Sequence, residues 1–233
     1  YLKEKGTTTE LKVIPTGIEE DDFECDMDKV KQIRDKYLEG KEYIFCTVSR
    51  LEKEKNILFM LKGLKQFKDK KGDCFRFLII GDGSQRQELE EETKKLELMD
   101  DVVFCGKIEH KEIRNYYHAC DLFLFASQSE TQGIVLLEAM AAGLPIVAVD
   151  GSGVCDVIKH GINGYTTEMN INEWEEKIEH IIDNKPISEQ MSRNAIKEAK
   201  QYLASNIAKS VERHYIDLLL FRGENQVYEN KVV

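Results

Sequence analysis

Short apolar runs alternate with helix-patterned stretches along most of the chain, and this alternation limits the fold more than any other feature. Runs at Tyr43–Val48, Phe75–Ile80, Val102–Cys105, Leu122–Ala126, Ile146–Val149 and around Tyr165 read as strands. Between them, apolar residues recur at helical spacing over Asn56–Lys68, Gln85–Leu96, Lys111–Ala119, Gly133–Ala142 and Val154–Lys159. Strands that alternate with helices build a parallel sheet with helices on both faces. This is a Rossmann-like α/β fold, whose ligands bind beyond the carboxyl ends of the strands. Ahead of the first strand, Leu11–Ile18 reads as a short strand entering a Pro/Gly turn, residues 19–26 as an acidic loop and Asp26–Leu38 as an amphipathic helix. From Ile171 the pattern is wholly helical, over Ile171–Asp183, Ser188–Tyr202 and Ser205–Phe221, and Arg222–Val233 reads as a frayed tail.

Composition narrows the function. Apolar residues make up 42% of the 233, enough for a sizeable core. With 33 basic and 43 acidic residues the net charge is −10, which excludes general nucleic-acid binding. No apolar run approaches membrane-spanning length. The cysteines at 25, 46, 74, 105, 120 and 155 form no C-x-x-C pair and fall mostly in apolar segments. They read as reduced core residues of a cytoplasmic protein, with neither zinc nor disulfides. The five histidines lack metal-ligand spacing. The chain starts at Tyr1 in a polar stretch, which reads as part of a longer protein.

The chemistry gathers at strand ends. Asp121–Ala126 is followed by a polar loop, a helix starting at Gly133, a stop at Gly143 and Pro145, and another apolar run. A helix that starts just past a strand leaves backbone N–H groups unpaired, and Gly133 puts no Cβ in a ligand's way, an arrangement suited to a diphosphate. Glu130 stands in the loop, and Glu138 stands among Leu136, Leu137, Ala139 and Met140, where an unpaired carboxylate is costly. Vicinal ribose hydroxyls would suit Glu138, as would a lysine or a backbone amide. Arg50, Lys53 and Lys55 crowd the start of another helix, where cations are unfavourable unless an anion balances them. Gly81-Asp82-Gly83 ends a further strand in a turn tight enough to pack beneath a nucleotide.

Together these segments resemble the retaining glycosyltransferase family 4 (group 1), over about Val13 to Asp183. Glu130 and Glu138 match its E-x7-E motif, and Val48–Asn56 matches its Gly-Arg-Leu-x-x-x-Lys-Gly run, with Ser49 and Asn56 where glycine is common. Gly81–Ser84 matches Gly-Asp-Gly-Pro, and Pro15-Thr16-Gly17 matches the hinge's Pro-Asn-Gly. The resemblance implies the C-terminal, donor-binding half of a GT-B enzyme. Residues 1–18 would be the hinge from an N-terminal acceptor domain, 19–203 the nucleotide-sugar domain, and 204–233 a helix and tail packing back on the acceptor domain. Arg50 and Lys55 would hold the donor diphosphate beside Ser49, Gly81 and Gly83. Lys107 and Ile108 would border the nucleobase. Glu130, with Thr131, Gln132 and Gly133, would meet the sugar near its reacting carbon. The Ile134 and Val135 amides would meet phosphate, and Glu138 the ribose. The implied reaction is hexose transfer from a UDP- or GDP-sugar, UDP-glucose foremost, to a lipid or glycan, without metal or cofactor. Ser129–Gly133 looks like bacterial enzymes that glycosylate diacylglycerol, which implies peripheral contact with the inner face of the cell membrane. This fragment alone should transfer nothing. The alternatives are a UDP-sugar epimerase or phosphorylase of the same fold, which would place acids and histidines differently, and a non-catalytic nucleotide-sugar-binding domain.

Overall fold

The computed structural model describes residues 4–9, 11–127, 129–130 and 132–229, with side chains described as far as residue 220. The apolar runs become β1 (Tyr43–Val48), β2 (Phe75–Ile80), β3 (Val102–Gly106), β4 (Leu122–Phe125), β5 (Ile146–Val149) and β6 (Gly164–Thr167). All neighbours pair in parallel, in the order β3-β2-β1-β4-β5-β6. Parallel neighbours cannot be joined by a hairpin, so the chain must cross a face of the sheet between them. Four crossings are helical: α2 (Ile57–Lys71), α3 (Arg86–Lys95), α4 (His110–Ala119) and α5 (Ile134–Ala141). α1 (Met27–Leu38) precedes the sheet, and α6 (Ile171–Ile182), α7 (Lys185–Ala199) and α8 (Ala204–Glu229) follow it.

Alternate strand residues serve opposite faces. Ile44, Cys46, Val48, Phe123 and Ile146 join a core with residues of α4, α5 and α7, against which Ile33 and Leu38 of α1 also pack. Phe45, Phe77, Leu124 and Val147 join a second core with α2, α3 and α6. All six residues of β2 are buried, as a strand covered on both sides requires. Side chains set the helix ends where they can. Asp26 accepts from the Asp28 and Lys29 N–H groups to start α1, and Asn170 does the same for α6 through Asn172 and Glu173.

Three expectations change. Val154–Lys159 forms turns instead of a helix. Gly151, Gly153 and Gly161 bracket it, Val154, Val157 and Ile158 turn into the core, and the buried Asn163 side chain bonds Lys159 N–H and Val157 C=O. The backbone is thus held by a side chain and has no room to build consecutive helical bonds. Leu11–Ile18 forms no strand. Its one ladder contact is a parallel bridge from Ile18 to Leu203, and Val13 is 86% exposed, because the segment runs beside α8 and not along a sheet edge. The tail beyond Arg222 is helical in its backbone as far as Glu229, and 230–233 lie outside the described residues. The other boundaries move by a few residues at most.

α2 and α6 come close together at a glycine. A Cβ on Gly63 would lie 2.7 Å from two ring carbons of Trp174, a fully buried indole packed edge-on to Phe59. Replacing a mid-helix glycine by alanine ordinarily stabilises by about 1 kcal/mol. Here overpacking should dominate, and Gly63→Ala should destabilise the chain by roughly 1–3 kcal/mol in urea unfolding. A more stable variant would mean that α6 yields freely.

Candidate functional site

Strand order reverses between β1 and β4: the chain runs outward from β1 through β2 to β3, then returns to lay β4 on the other side of β1. At such a reversal the following helices leave toward opposite faces and the strand ends open into a crevice. α2 and α5 do so here, each belonging to a different core. The loop leaving β1 carries Arg50 and Lys55, and the loop leaving β4 carries Glu130 to Gly133. Across the crevice Lys55 Nζ lies 3.2 Å from Glu130 Oε2, the side chains being 15% and 16% exposed. Glu130 Oε1 accepts from the Gly133 N–H at 3.4 Å. One carboxylate therefore sits between an ammonium and the start of α5, where an anion is well held. Gly133 takes φ 64°, a left-handed conformation that turns the chain into α5. The Ile134 and Val135 amides follow in the first turn, without acceptors inside the helix.

Arg50 reaches outward, 75% exposed, with Glu54 at 3.5 Å. Ser49 Oγ is buried and has no hydrogen-bond partner among the described residues. Gly81 and Gly83 support this loop from beside it. A Cβ on Gly81 would fall 1.8 Å from the Ser49 carbonyl oxygen, and one on Gly83 would fall 2.5 Å from that of Leu51. The two loops are tied by Leu51 N–H to Asp82 C=O and by Gln85 N–H to Leu51 C=O. Lys107 is exposed, and Ile108 is half-buried against the core that α4 and α5 share. Gln132 accepts a hydrogen bond from the Thr16 hydroxyl, while Thr131 lies outside the described residues.

Among the described residues, the Glu138 side chain takes neither a lysine nor an amide. Its Oε2 accepts from the Tyr117 hydroxyl at 3.0 Å. Burial pushes the Glu138 carboxyl above its ordinary value of 4.5, and the Tyr117 bond works against that rise. Burial, with Glu138 alongside, pushes the Tyr117 phenol well up.

The glycosyl transferases group 1 family matches residues 28–198, which is most of the chain. The chain belongs to that family. This group 1 domain is 36% identical over 151 residues to an alpha-monoglucosyldiacylglycerol synthase of Streptococcus pneumoniae, covering 63% of this chain and 34% of the relative. To the synthase of the same name from Acholeplasma laidlawii it is 32% identical over 225 residues, covering 94% of this chain and 54% of the relative. It thus spans between about a third and about a half of these relatives' length. Among solved structures, Anabaena HepE in complex with UDP superposes with a TM-score of 0.80 at 23% identity, over 88% of this chain and 57% of that one. The C-terminal domain of Francisella tularensis LpcC superposes at 0.68 and 21% identity, over 81% of this chain and all of that one. The sheet and its helices are thus those of GT-B glycosyltransferase structures.

Two residues of this group 1 domain escaped the sequence reading. Tyr117 could have been found, since a buried phenol needs an acceptor and a buried carboxylate needs a donor. Glu52 accepts from both the N–H and the hydroxyl of Ser84, at 3.1 and 2.6 Å, which ties the β1 loop to the β2 loop. These bonds hold the Glu52 carboxyl below the usual range. Only the three-dimensional approach of the loops reveals this pairing.

Glu138 yields a stability prediction. Its folded value lies above the unfolded value near 4.5, so this group's contribution is fully present below that pH and is lost as pH rises through the folded value. Glu138→Gln, always neutral, should be at least as stable as the parent at neutral pH in urea unfolding and should lose that part of the pH dependence. A loss above about 1 kcal/mol at neutral pH would show that the charge itself stabilises the fold.

Proposed function

We propose that this chain is the donor-binding half of a retaining glycosyltransferase that moves a hexose from UDP-glucose to a lipid acceptor. The observation that carries this reading is the meeting of Lys55, Glu130 and the start of α5 at the strand-order reversal. An ammonium and unpaired helix amides there suit a diphosphate. As the bond from the anomeric carbon to the β-phosphate oxygen breaks, negative charge builds on the departing UDP. Lys55 and Arg50 neutralise that charge, and the Ile134 and Val135 amides add to it, a type of electrostatic help that commonly dominates such reactions. Lys55 turns from Glu130 to the diphosphate when donor binds, which frees the Glu130 carboxylate for hydroxyls of the sugar. Glu138 receives the ribose hydroxyls, and Lys107 and Ile108 lie beside the base.

Relatives support the donor and the acceptor class. HepE has been crystallised with UDP-glucose, and two similar proteins are named for making a glucosyl diacylglycerol. We place the acceptor site in the part of those longer proteins that this chain does not match. Leu11, Val13 and Ile14, with Tyr215, Ile216, Leu218, Leu219 and Leu220 of α8, are exposed apolar residues suited to packing against that part. No helix among the described residues is long and apolar enough to cross a membrane.

The 233-residue chain should bind UDP in the micromolar-to-millimolar range expected of an open half-site, more weakly as salt rises, and should transfer no sugar. Calorimetry with UDP, GDP and ADP identifies the base, and no binding at millimolar ligand overturns the assignment. Placed in a protein of the relatives' full length, Arg50→Ala and Lys55→Ala should each lower kcat by about 100-fold or more. Near-parental turnover in both would refute the diphosphate role. Glu130→Gln should abolish transfer yet bind UDP at least as well as the parent, because it removes the anion that competes for Lys55. Weakened UDP binding in that variant would show that Glu130 supports the nucleotide site itself.

A further inference from the structure

Glu138 is one of two acids that the proposed donor site depends on, and a long side chain with a carboxylate at its tip has many places to point. α4 limits the choice. Tyr117 is 2% exposed, its ring packs against Phe123 at 5.8 Å between centroids, and its hydroxyl meets Glu138 Oε2 at 3.0 Å. Oε1 accepts no hydrogen bond from a described residue. Beside the pair lies a cavity of about 10 Å³, lined by Asp22, His110, Ile113, Arg114, Tyr117 and Glu138. It has room for about one water, so a ribose must reach the carboxylate from outside it. Arg114 and His110 on its wall are competing attractions for a carboxylate. Arg114 Nη1 is held by the Asp21 carbonyl at 2.9 Å, with the Asp21 carboxylate at 3.5 Å.

We propose that Tyr117 is a positioning residue for nucleotide recognition: its phenol fixes one Glu138 oxygen so that the other is presented to the ribose hydroxyls. This rests on the proposed role of Glu138 as the ribose acceptor. A rigid aromatic donor suits the task. Packing on Phe123 locks the ring, and burial beside Glu138 favours the protonated phenol, which is the donor form. Without that bond the carboxylate can fold toward His110 and Arg114, and its free oxygen leaves the ribose.

The test compares UDP with 2′-deoxy-UDP, by calorimetric titration of the 233-residue chain. The parent should prefer UDP. Tyr117→Phe keeps the ring and removes the donor, so it should weaken UDP binding by about tenfold, the scale of one hydrogen bond to a charged group. Its affinity for 2′-deoxy-UDP should stay within about twofold of the parent's, since that ligand lacks the full hydroxyl pair that Glu138 receives. Glu138→Gln should show the same selective loss, and adding Tyr117→Phe to it should cost little more, because both changes break one contact. Should Tyr117→Phe fail to fold, Glu138→Asp shortens the acid away from the phenol and must give the selective loss instead.

Equal weakening of both ligands in Tyr117→Phe would mean general disruption and would overturn the proposal, as would unchanged UDP binding. If the parent binds both ligands alike, Glu138 does not read the ribose. The proposal then falls, while the diphosphate assignment stands on the Arg50 and Lys55 variants. If the parent binds neither UDP nor GDP with its 2′-deoxy counterpart at millimolar concentration, the donor reading itself falls and takes this one with it.

Discussion

The reversal of strand order beside β1 is the constraint on which the rest of the molecule depends. A parallel sheet covered on both faces must send its crossovers to one side or the other, and the chain changes sides once in its central run. α2 and α3 lie over one face, and α4 and α5 over the other. The strand ends β1 and β4 are neighbours whose next residues diverge, and nothing in the backbone ladder fills the gap. A polar group placed just past either end faces the same small volume, whatever its distance in sequence. Lys55 and Glu130 meet for that reason, 75 residues apart.

The crevice is held open by contacts that are themselves close. Ser49–Leu51 rests on Gly81 and Gly83 with no space for a side chain between, and Glu52 grips Ser84 across the same seam. The cationic loop therefore rests on a second loop, which rests on β3 through the Gly81 N–H to Gly106 C=O bond of 2.8 Å. Three strand ends form one shelf. The glycines expected beneath a nucleotide pack beneath the loop that would hold it.

Much of this was legible from the residues. Strand runs rich in Phe, Ile, Leu and Val can only be buried, and seven of the helical stretches carry enough periodicity to place them within a few residues. What failed to show was of two kinds. Val154–Ile158 has helical spacing, but its apolar residues are held by turns and by the buried Asn163 amide, and a pattern of buried positions does not reveal which backbone holds them. The Tyr117–Glu138 bond depends on α4 and α5 lying side by side on one face, which follows from topology and not from local pattern. Leu11, Val13 and Ile14 misled for the opposite reason. Apolar residues beside a turn suggest a strand, yet these three are exposed and find no ladder.

The bridge at Ile18 has a mechanical meaning. Ile18 N–H bonds Tyr202 C=O and Ala204 N–H bonds Ile18 C=O, at 2.9 and 2.8 Å, so the segment before the sheet and the start of α8 are stapled side by side. Fastened in this way, the two segments share one anchor, so a displacement of either is passed to the other. Thr16, two residues before the staple, hangs on Gln132, two residues past Glu130. That anchor is thus tied by one side-chain bond to the loop on the rim of the crevice, with no helix in between.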